Sequence, residues 1–493
     1  MEKRKLRICF ETKDKELLSS FLSHKNSLET EKLRFEIYSP QFEIESKDVL
    51  CAKLKIKETR VKAHWLSYDV YIYDLNTADY RIVEDHALYI RREKPDLSNF
   101  RIILVSNVLT WSKSTPKQYN PDQKEEEQGD EHEEDGNDNE DVTQKIVPFN
   151  SRDVHRRRSN GSYSKMINCE NLFLSLKGGM KSLSLKIICP GMIYGQNRSP
   201  FEPFFISAFY SELIPLPILA KAKAKIPSVH IRDLTLHLFF FSVENISEPG
   251  YIFLTDLSSD KTHKSFIKAI AEGMGSKEMI EVSSEMSTFH NESNVELLSL
   301  DLSWRSNSPI SVFNEEIELK GQHLKEQEED KEEDGERSPS LTSPYILSYE
   351  KGFRENFDRI KKEWILKSGI HPIKICVIGG PCSGKSYLVK ELSKHFKLPL
   401  LTLDNSIDYL AKLNNELSEE LSQILSQNEE GVDNTEGEVG KKTLPLSILK
   451  RVFRERMKMN DCMNRGFILD GFPETLDQAK VIFEGRFIRL RLP

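Results

Sequence analysis

Apolar positions along this chain repeat with two periods that take turns. Residues 6–10 (LRICF), 70–75 (VYIYDL), 101–105 (RIILV), 185–189, 228–231 and 251–254 are short apolar runs that read as strands. Leu17, Leu18, Phe21 and Leu22, then residues 85–93 and the aromatic stretch 204–210, repeat at helical spacing. Strands alternating with helices predict a parallel, doubly wound α/β sheet. A second series begins later. Residues 373–378 (IKICVI) read as a buried strand, and Tyr387, Leu388, Leu392 and Phe396 follow at helical spacing. Next come an apolar run at 400–404, a helical segment through Leu425, a basic amphipathic helix over 446–457 and a strand over 466–470. The pattern predicts two doubly wound parallel-sheet α/β units, the first Rossmann-like.

Two acidic stretches interrupt the periodicity. Residues 113–147, with KEEEQGDEHEEDGNDNED at their centre, predict a disordered insertion. It reads as a solvated spacer, because calcium loops need a fixed geometry that such runs lack. KEQEEDKEEDGER (325–337), followed by SPSLTSP, marks a boundary. The expected organisation is a first domain over 1–310 that carries the insertion, an acidic linker over 311–347 and a second domain over 348–493. Phe353, Phe357, Ile360, Trp364 and Ile365 predict a helix packed on the second domain.

Length and charge narrow the function. A chain of 493 residues has room for two to four domains. A net charge of −8 with dense acidic runs argues against nucleic acid as a partner. Apolar runs such as 238–241 (LFFF) are far too short to span a bilayer, and MEKRKLRICF lacks the apolar core of a signal peptide. The simplest expectation is a soluble cytoplasmic protein without membrane partners. Seven cysteines, at positions 9, 51, 169, 189, 376, 382 and 462, show no C-x-x-C spacing and read as reduced, mostly buried thiols. Cys382 is set apart by its place in the loop below. Arg156, Arg157 and Arg158 read as a solvated turn.

The chemistry concentrates at Gly379-Gly380-Pro381-Cys382-Ser383-Gly384-Lys385-Ser386, a match to G-x-x-x-x-G-K-[ST]. Glycines let the backbone approach phosphate oxygens, consecutive N–H groups point inward, and a helix N-terminus adds partial positive charge. Lys385 would reach the β- and γ-phosphates of ATP, and the Ser386 hydroxyl would hold Mg²⁺. Asp470 ends the apolar strand GFILD, which is what a magnesium-anchoring carboxylate beside such a loop needs. The first domain, by contrast, has residues 11–15 (ETKDK) where a dinucleotide fingerprint would follow Phe10, so NAD(P) is not expected there.

IGGPCSGKS and GFILDGFPETLDQA resemble the adenylate kinase family, whose patterns read GGPGSGKGT and DGFPRT-x-x-QA. The resemblance covers about residues 370–493. It implies transfer of phosphate from ATP to a nucleoside monophosphate, ATP + AMP to 2 ADP, with Mg²⁺. By position it puts Gly379, Gly380, Pro381, Cys382, Ser383, Gly384, Lys385, Ser386 and Tyr387 at ATP. Lys385 and Asp470 would be catalytic, Ser386 and Asp470 would serve Mg²⁺, and Thr402, Gly471 and Gln478 would meet AMP. Two arginines that clamp the AMP phosphate in the family align with Ile407 and Glu474, and the chain is expected to stop before the family's lid. The alternative is therefore a weakly active or inactive nucleotide-binding or structural protein. Ser106-Asn107…Trp111, PGMIYG (190–195) and SVHIRDL (228–234) resemble extended short-chain dehydrogenases and nucleotide-sugar epimerases over about residues 5–300. The Tyr and Lys that do their proton work do not carry over, since Tyr163 is followed at that distance by Ile167 and Lys165 is out of register, and Asn107 stands at the serine position. A divergent epimerase-like domain joined to such a kinase resembles a branch of the adenylate kinase family associated with motile cilia. That implies a cilium or flagellum axoneme and axonemal partners.

Overall fold

The computed structural model describes residues 4–24, 33–39, 68–93, 100–115, 117–118, 146–180, 182–196, 200–210, 215–219, 224–246, 250–258, 260–274, 279–282, 292–317, 343–380, 382–411, 419–421 and 445–483. Cys51, Pro381 and nearly all of the two acidic stretches lie outside them. Packing divides the chain into two units. One comprises Met1–Glu202, Ile218–Phe266 and Glu281–Trp364, and the other Pro203–Pro217, Ile267–Ile280 and Ile365–Pro493.

The first unit is organised by strands β1 (Arg4–Glu11), β2 (Leu33–Tyr38), β3 (Val70–Asp74), β4 (Arg101–Val105), β5 (Ser184–Pro190), β6 (Met192–Tyr194), β7 (Ser228–His230) and β8 (Tyr251–Leu254). Six form one sheet in the order β8-β5-β4-β3-β1-β2, every neighbour parallel. The strands are continuous apolar runs because both faces are covered. Along β3, Val70 and Ile72 face one core with Leu17, Leu18 and Phe21 of α1 (Lys15–Ser23), while Tyr71 and Tyr73 face the other. That second core holds Val83, Ala87 and Ile90 of α2 (Tyr80–Glu93) and Met166, Cys169 and Phe173 of α3 (Ser164–Gly179). Helix α4 (Ile231–Val243) is apolar nearly all round since it is buried nearly all round, its Phe239 ring 5.1 Å from Phe21 and 4.7 Å from Phe35.

Three local readings are corrected. PGMIYG is more than a turn: its residues 192–194 form β6, in parallel register with β7. Gly195 follows at φ +97°, where a Cβ would lie 2.1 Å from His230 Nε2, so only glycine fits. The arginine triplet is not wholly solvated. The Arg157 side chain is 2% exposed and pairs with Glu170, which is 0% exposed; Ser106 Oγ donates to the same carboxylate, and Arg157 also meets Tyr251 Oη at 3.1 Å. The aromatic segment expected to pack on the second domain buries Tyr349, Phe353, Phe357, Ile360 and Trp364, and Phe353 sits 5.3 Å from each of the Tyr194, Phe201 and Phe266 rings of the first unit. The packed first unit therefore runs past 347, through the start of α5 (Phe357–Lys367) to Trp364. Periodicity shows that one face is apolar; it does not say which unit receives it.

Buried titratable groups give this unit a defined acid response. Burial pushes His237 down to about 4 and His86 to about 3, while burial and the neighbouring Asp79 push Glu11 up to about 7. The histidines bind protons more readily when unfolded, so their contribution is full above 6.5 and is lost as pH falls towards 4 and 3. Glu11 works in the opposite sense, contributing fully below 4.5 and losing that contribution as pH rises through 7. For these three groups the balance is a loss on the order of 5 kcal/mol between pH 7 and pH 3, steepest near pH 4.5, which Glu170, Asp233 and Asp256, their carboxyls pushed up by burial, offset in part. Chemical unfolding at a series of pH values measures it, and a flat profile down to pH 3 would contradict it.

The second unit contains β9 (Ile373–Val377), β10 (Leu400–Leu401) and β11 (Gly466–Asp470), parallel in the order β9-β11-β10. Its helices include α6 (Lys385–Phe396), α7 (Leu403–Ala411), α8 (Leu446–Lys458), α9 (Asn460–Arg465) and α10 (Leu476–Phe483). The apolar face of α8 supplies Ile448, Leu449, Val452 and Phe453 to a core shared with Leu401, Ile407, Leu410, Phe467 and Leu469. Arg456 and Asp461 join α8 to α9 through a buried bidentate pair at 2.8 and 2.6 Å. Gly466 has φ +95°, and a Cβ there would strike Ile373 O at 1.9 Å, so glycine allows β11 to pair closely with β9. The expectation that 373–378 is a buried strand is corrected. Ile373 is 44% and Ile378 75% exposed, because β9 pairs with one neighbour only among the described residues. On α6, Val389 is buried, whereas Tyr387, Leu388 and Phe396 are exposed.

Candidate functional site

Strand β9 leads through Gly379, Gly380, Cys382, Ser383 and Gly384 into α6, which is the strand–loop–helix context that the motif requires. Gly384 caps α6 in the left-handed region at φ +80°, with no side chain on the first-turn N–H groups, which leaves these donors turned to the loop. Gly379 has Ser383 Oγ within 3.1 Å of where a Cβ would stand. Lys385 Nζ lies across the loop and donates to Gly379 O at 2.6 Å and Gly380 O at 2.5 Å. An ammonium held by two neutral carbonyls is available to phosphate oxygens, which bind it more strongly. The loop residues, Ser386 and Tyr387 are exposed.

Asp470 is brought to the same place by sheet register. Parallel pairing sets Asp470 opposite Val377, two residues ahead of Gly379, at the carboxyl end of β11. Ser386 and Asp470 offer a hydroxyl and a carboxylate, hard oxygen donors of the kind magnesium takes together with phosphate oxygens and water. The described residues contain no group of three or more His, Cys, Asp or Glu able to hold a metal by themselves.

Cys382 stands at φ +58°, the left-handed region, and is exposed. A side chain there costs on the order of 1 kcal/mol, and the sequence pattern it resembles has glycine at that place. Cys382→Gly is expected to raise the unfolding free energy of the second unit by about that amount, visible as a higher melting midpoint. An unchanged midpoint would show that the loop relaxes without cost.

Two of the residues matched to the AMP side also cap helices. Thr402 caps α7: its Oγ1 accepts from Asn405 N at 3.2 Å and its carbonyl from Ser406. Gln478 forms a capping box with Thr475, its Oε1 accepting from Glu474 N at 2.7 Å and from Thr475 N at 3.4 Å, while its own N–H reaches Thr475 Oγ1. T-x-x-Q at a helix start is itself a capping pattern. Ile407 is 5% exposed in the core with Leu401 and Leu410, so an arginine there would not simply fit. Glu474 is exposed beside Gly471, which turns at φ +69°.

In the first unit, the place where doubly wound sheets bind dinucleotides lies between β1 and β3. The α1 N-terminus there is occupied by the chain's own carboxylate, Asp14 accepting from Glu16 N and Leu17 N at 3.0 Å each. Asp74 next to it is buried and holds Thr12, Thr77 and Asn76. Asn107, at the family's serine position, caps a short 3₁₀ turn and donates to Asn76. A pyrophosphate would meet carboxylates where it needs N–H donors, so these residues do not fit a dinucleotide.

No protein-family model matches the chain. Fold and loop together define an α/β protein with a phosphate-binding-loop unit, and the sequence is similar to adenylate kinases. It is 26% identical over 440 residues to adenylate kinase 7 of Mus musculus, covering 84% of this chain and 62% of that protein. It is 34% identical over 106 residues to adenylate kinase 8 of Homo sapiens, 22% of this chain and 19% of that protein. With adenylate kinase of Pseudothermotoga lettingae it shares 30% over 112 residues, 23% of this chain and 45% of that protein. The chain thus spans less than two thirds of the length of the relatives named here. Among solved structures it is similar to UDP-glucose 4-epimerase of Thermus thermophilus, 12% identical at a TM-score of 0.39 over 63% of this chain and 93% of that one. The dTDP-glucose 4,6-dehydratase of Bacillus anthracis is 10% identical at 0.43, over 74% and 98%. The resemblance to the adenylate kinase family expected from the motifs is borne out.

Proposed function

We propose that the second unit binds Mg-ATP and transfers its γ-phosphoryl group to a nucleoside monophosphate, AMP being the expected acceptor. The observation that carries this reading is the glycine loop between a parallel strand and a helix, with Lys385 at its mouth and Asp470 in register beside it. In the transfer, an acceptor phosphate oxygen bonds to the γ-phosphorus as the bridge to the β-phosphate breaks, leaving ADP on both sides. Lys385 would move from the Gly379 and Gly380 carbonyls to the β/γ-oxygens, and the backbone N–H groups at the start of α6 would bind the phosphates. Mg²⁺, held by Ser386 and Asp470, would neutralise charge shared by the β- and γ-phosphates. A cytoplasmic location at an axoneme, with axonemal partners, is part of the proposal and rests on the resemblance alone.

Ile407 and Glu474 favour a second reading, a nucleotide-binding unit with little turnover, because no arginine stands at either position to hold the acceptor phosphate. Glu474→Arg tests which applies. If the AMP phosphate passes position 474, the KM for AMP falls about tenfold, the effect of one favourable charge contact, while the KM for ATP stays put. No change in either constant would place the acceptor elsewhere.

A further inference from the structure

The first unit holds a cavity of about 170 Å³ remote in sequence from every residue discussed for nucleotide binding. Val229, Leu254 and Leu347 give it apolar walls, and Asp233, Asp256 and Glu350 give it carboxylates. Its polar lining has a one-sided chemistry. Thr255 Oγ1 spends its hydrogen on the Ser228 carbonyl and Ser306 Oγ on the Phe253 carbonyl. His237 Nδ1 lies 2.6 Å from the Asp233 carbonyl and so carries the proton, which leaves Nε2 to accept from Ser308 Oγ at 2.6 Å. These groups therefore offer lone pairs and no hydrogens, although Lys261 Nζ takes one lone pair of Thr255 Oγ1 at 2.9 Å and the Ser311 hydroxyl at the exposed rim is a donor. Burial raises the pKa of both Asp233 and Asp256; Lys261, 3.6 Å from Asp256, offsets one charge without lining the cavity, and Arg232 acts on Asp233 from outside it.

Three carboxylates and a lining rich in acceptors favour a ligand that carries positive charge and donates, and the apolar walls favour one with a short hydrocarbon body. We propose that this cavity binds a small alkylammonium group. An engineered cavity of about 150 Å³ holds a benzene molecule, so roughly six non-hydrogen atoms fit here. Carboxylates and phosphates are disfavoured by the like charge of Asp233, Asp256 and Glu350. The same chemistry is carried by a free amine and by a lysine side chain presented by a peptide. Leu347 and Glu350 belong to the segment whose Ser348 and Tyr349 N–H groups are fixed by Asp233 at 2.9 Å each, so an occupant would also steady that segment.

The test uses the full chain with n-butylammonium, Nα-acetyl-lysine methylamide, butyrate and butanol as probes, read by thermal unfolding and by hydrogen exchange of residues 343–352. A saturable rise in melting midpoint and slower exchange with an ammonium probe, and neither with butyrate or butanol, is the expected result. Butylammonium acting alone assigns a free amine, and the lysine derivative acting alone assigns a peptide side chain. Glu350→Gln, which keeps its backbone bond to Leu257, is expected to weaken binding about tenfold, the effect of one charge-assisted contact. Ser311→Lys at the exposed rim would tether an ammonium and remove the response. Equal effects from butanol or butyrate, no effect from either ammonium, or unchanged binding in Glu350→Gln would overturn the proposal.

Discussion

Lys385→Ala is expected to reduce ADP formation from Mg-ATP and AMP by on the order of 10³-fold or more, with a parallel loss of Mg-ATP binding. The reason lies in what the loop keeps without the lysine. Backbone N–H groups of the glycine loop remain, and so do Ser386 and Asp470, but no other cation reaches across Gly379 and Gly380 among the described residues. Charge that develops on the γ-phosphate oxygens would then be left to neutral donors. Lys385→Arg should not restore the rate, because a broad planar guanidinium does not place its charge where a compact ammonium does. The unfolding midpoint is expected to change little, since Lys385 makes its contacts at an exposed loop. A variant that retained more than a tenth of the parent rate would show that phosphate charge is neutralised by other means.

The second large effect concerns stability. Arg157→Ala is expected to destabilise the first unit by about 3–5 kcal/mol. Arg157 and Glu170 are essentially closed off from water, at 2% and 0% exposure. Burial pushes the Glu170 carboxyl up, and Arg157 and Ser106 pull it back down. Without the guanidinium a carboxylate is left in the core with one hydroxyl for company, and the Tyr251 hydroxyl, shared with Trp111 Nε1 at 3.3 Å, loses a donor. Replacing both partners, as Arg157→Met with Glu170→Leu, should recover most of the loss, since no charge then remains to be compensated. Urea unfolding of the two variants measures the difference. A loss below 1 kcal/mol for Arg157→Ala would mean that Glu170 takes up a proton at little cost.

The alternation of strands and helices was legible because both faces of the first sheet are covered, so β3, β4 and β5 read as unbroken apolar runs. The phosphate loop was legible for the same physical reason that it would work: glycines and a lysine at fixed spacing after a strand. Burial was less readable. IKICVI has the composition of a central strand, yet β9 has a single neighbour among the described residues, and sequence does not count neighbours. Arg157 looked solvated in a run of three arginines because its partner, Glu170, is thirteen residues away on another element. Gln478 and Thr402 were matched to AMP by resemblance alone, and their backbone-capping bonds follow from their own positions at helix starts. The cavity lined by Asp233 and Asp256 could not be foreseen, since it is assembled from four stretches between residues 229 and 350.

The most direct measurement is ADP formation by the purified 493-residue chain supplied with Mg-ATP and AMP, with Lys385→Ala alongside. The account predicts that ADP appears at the expense of both substrates in the parent and vanishes in the variant. Mg-ATP binding that depends on Lys385 without any ADP formed would contradict the phosphotransferase reading and leave the second unit as a nucleotide-binding module.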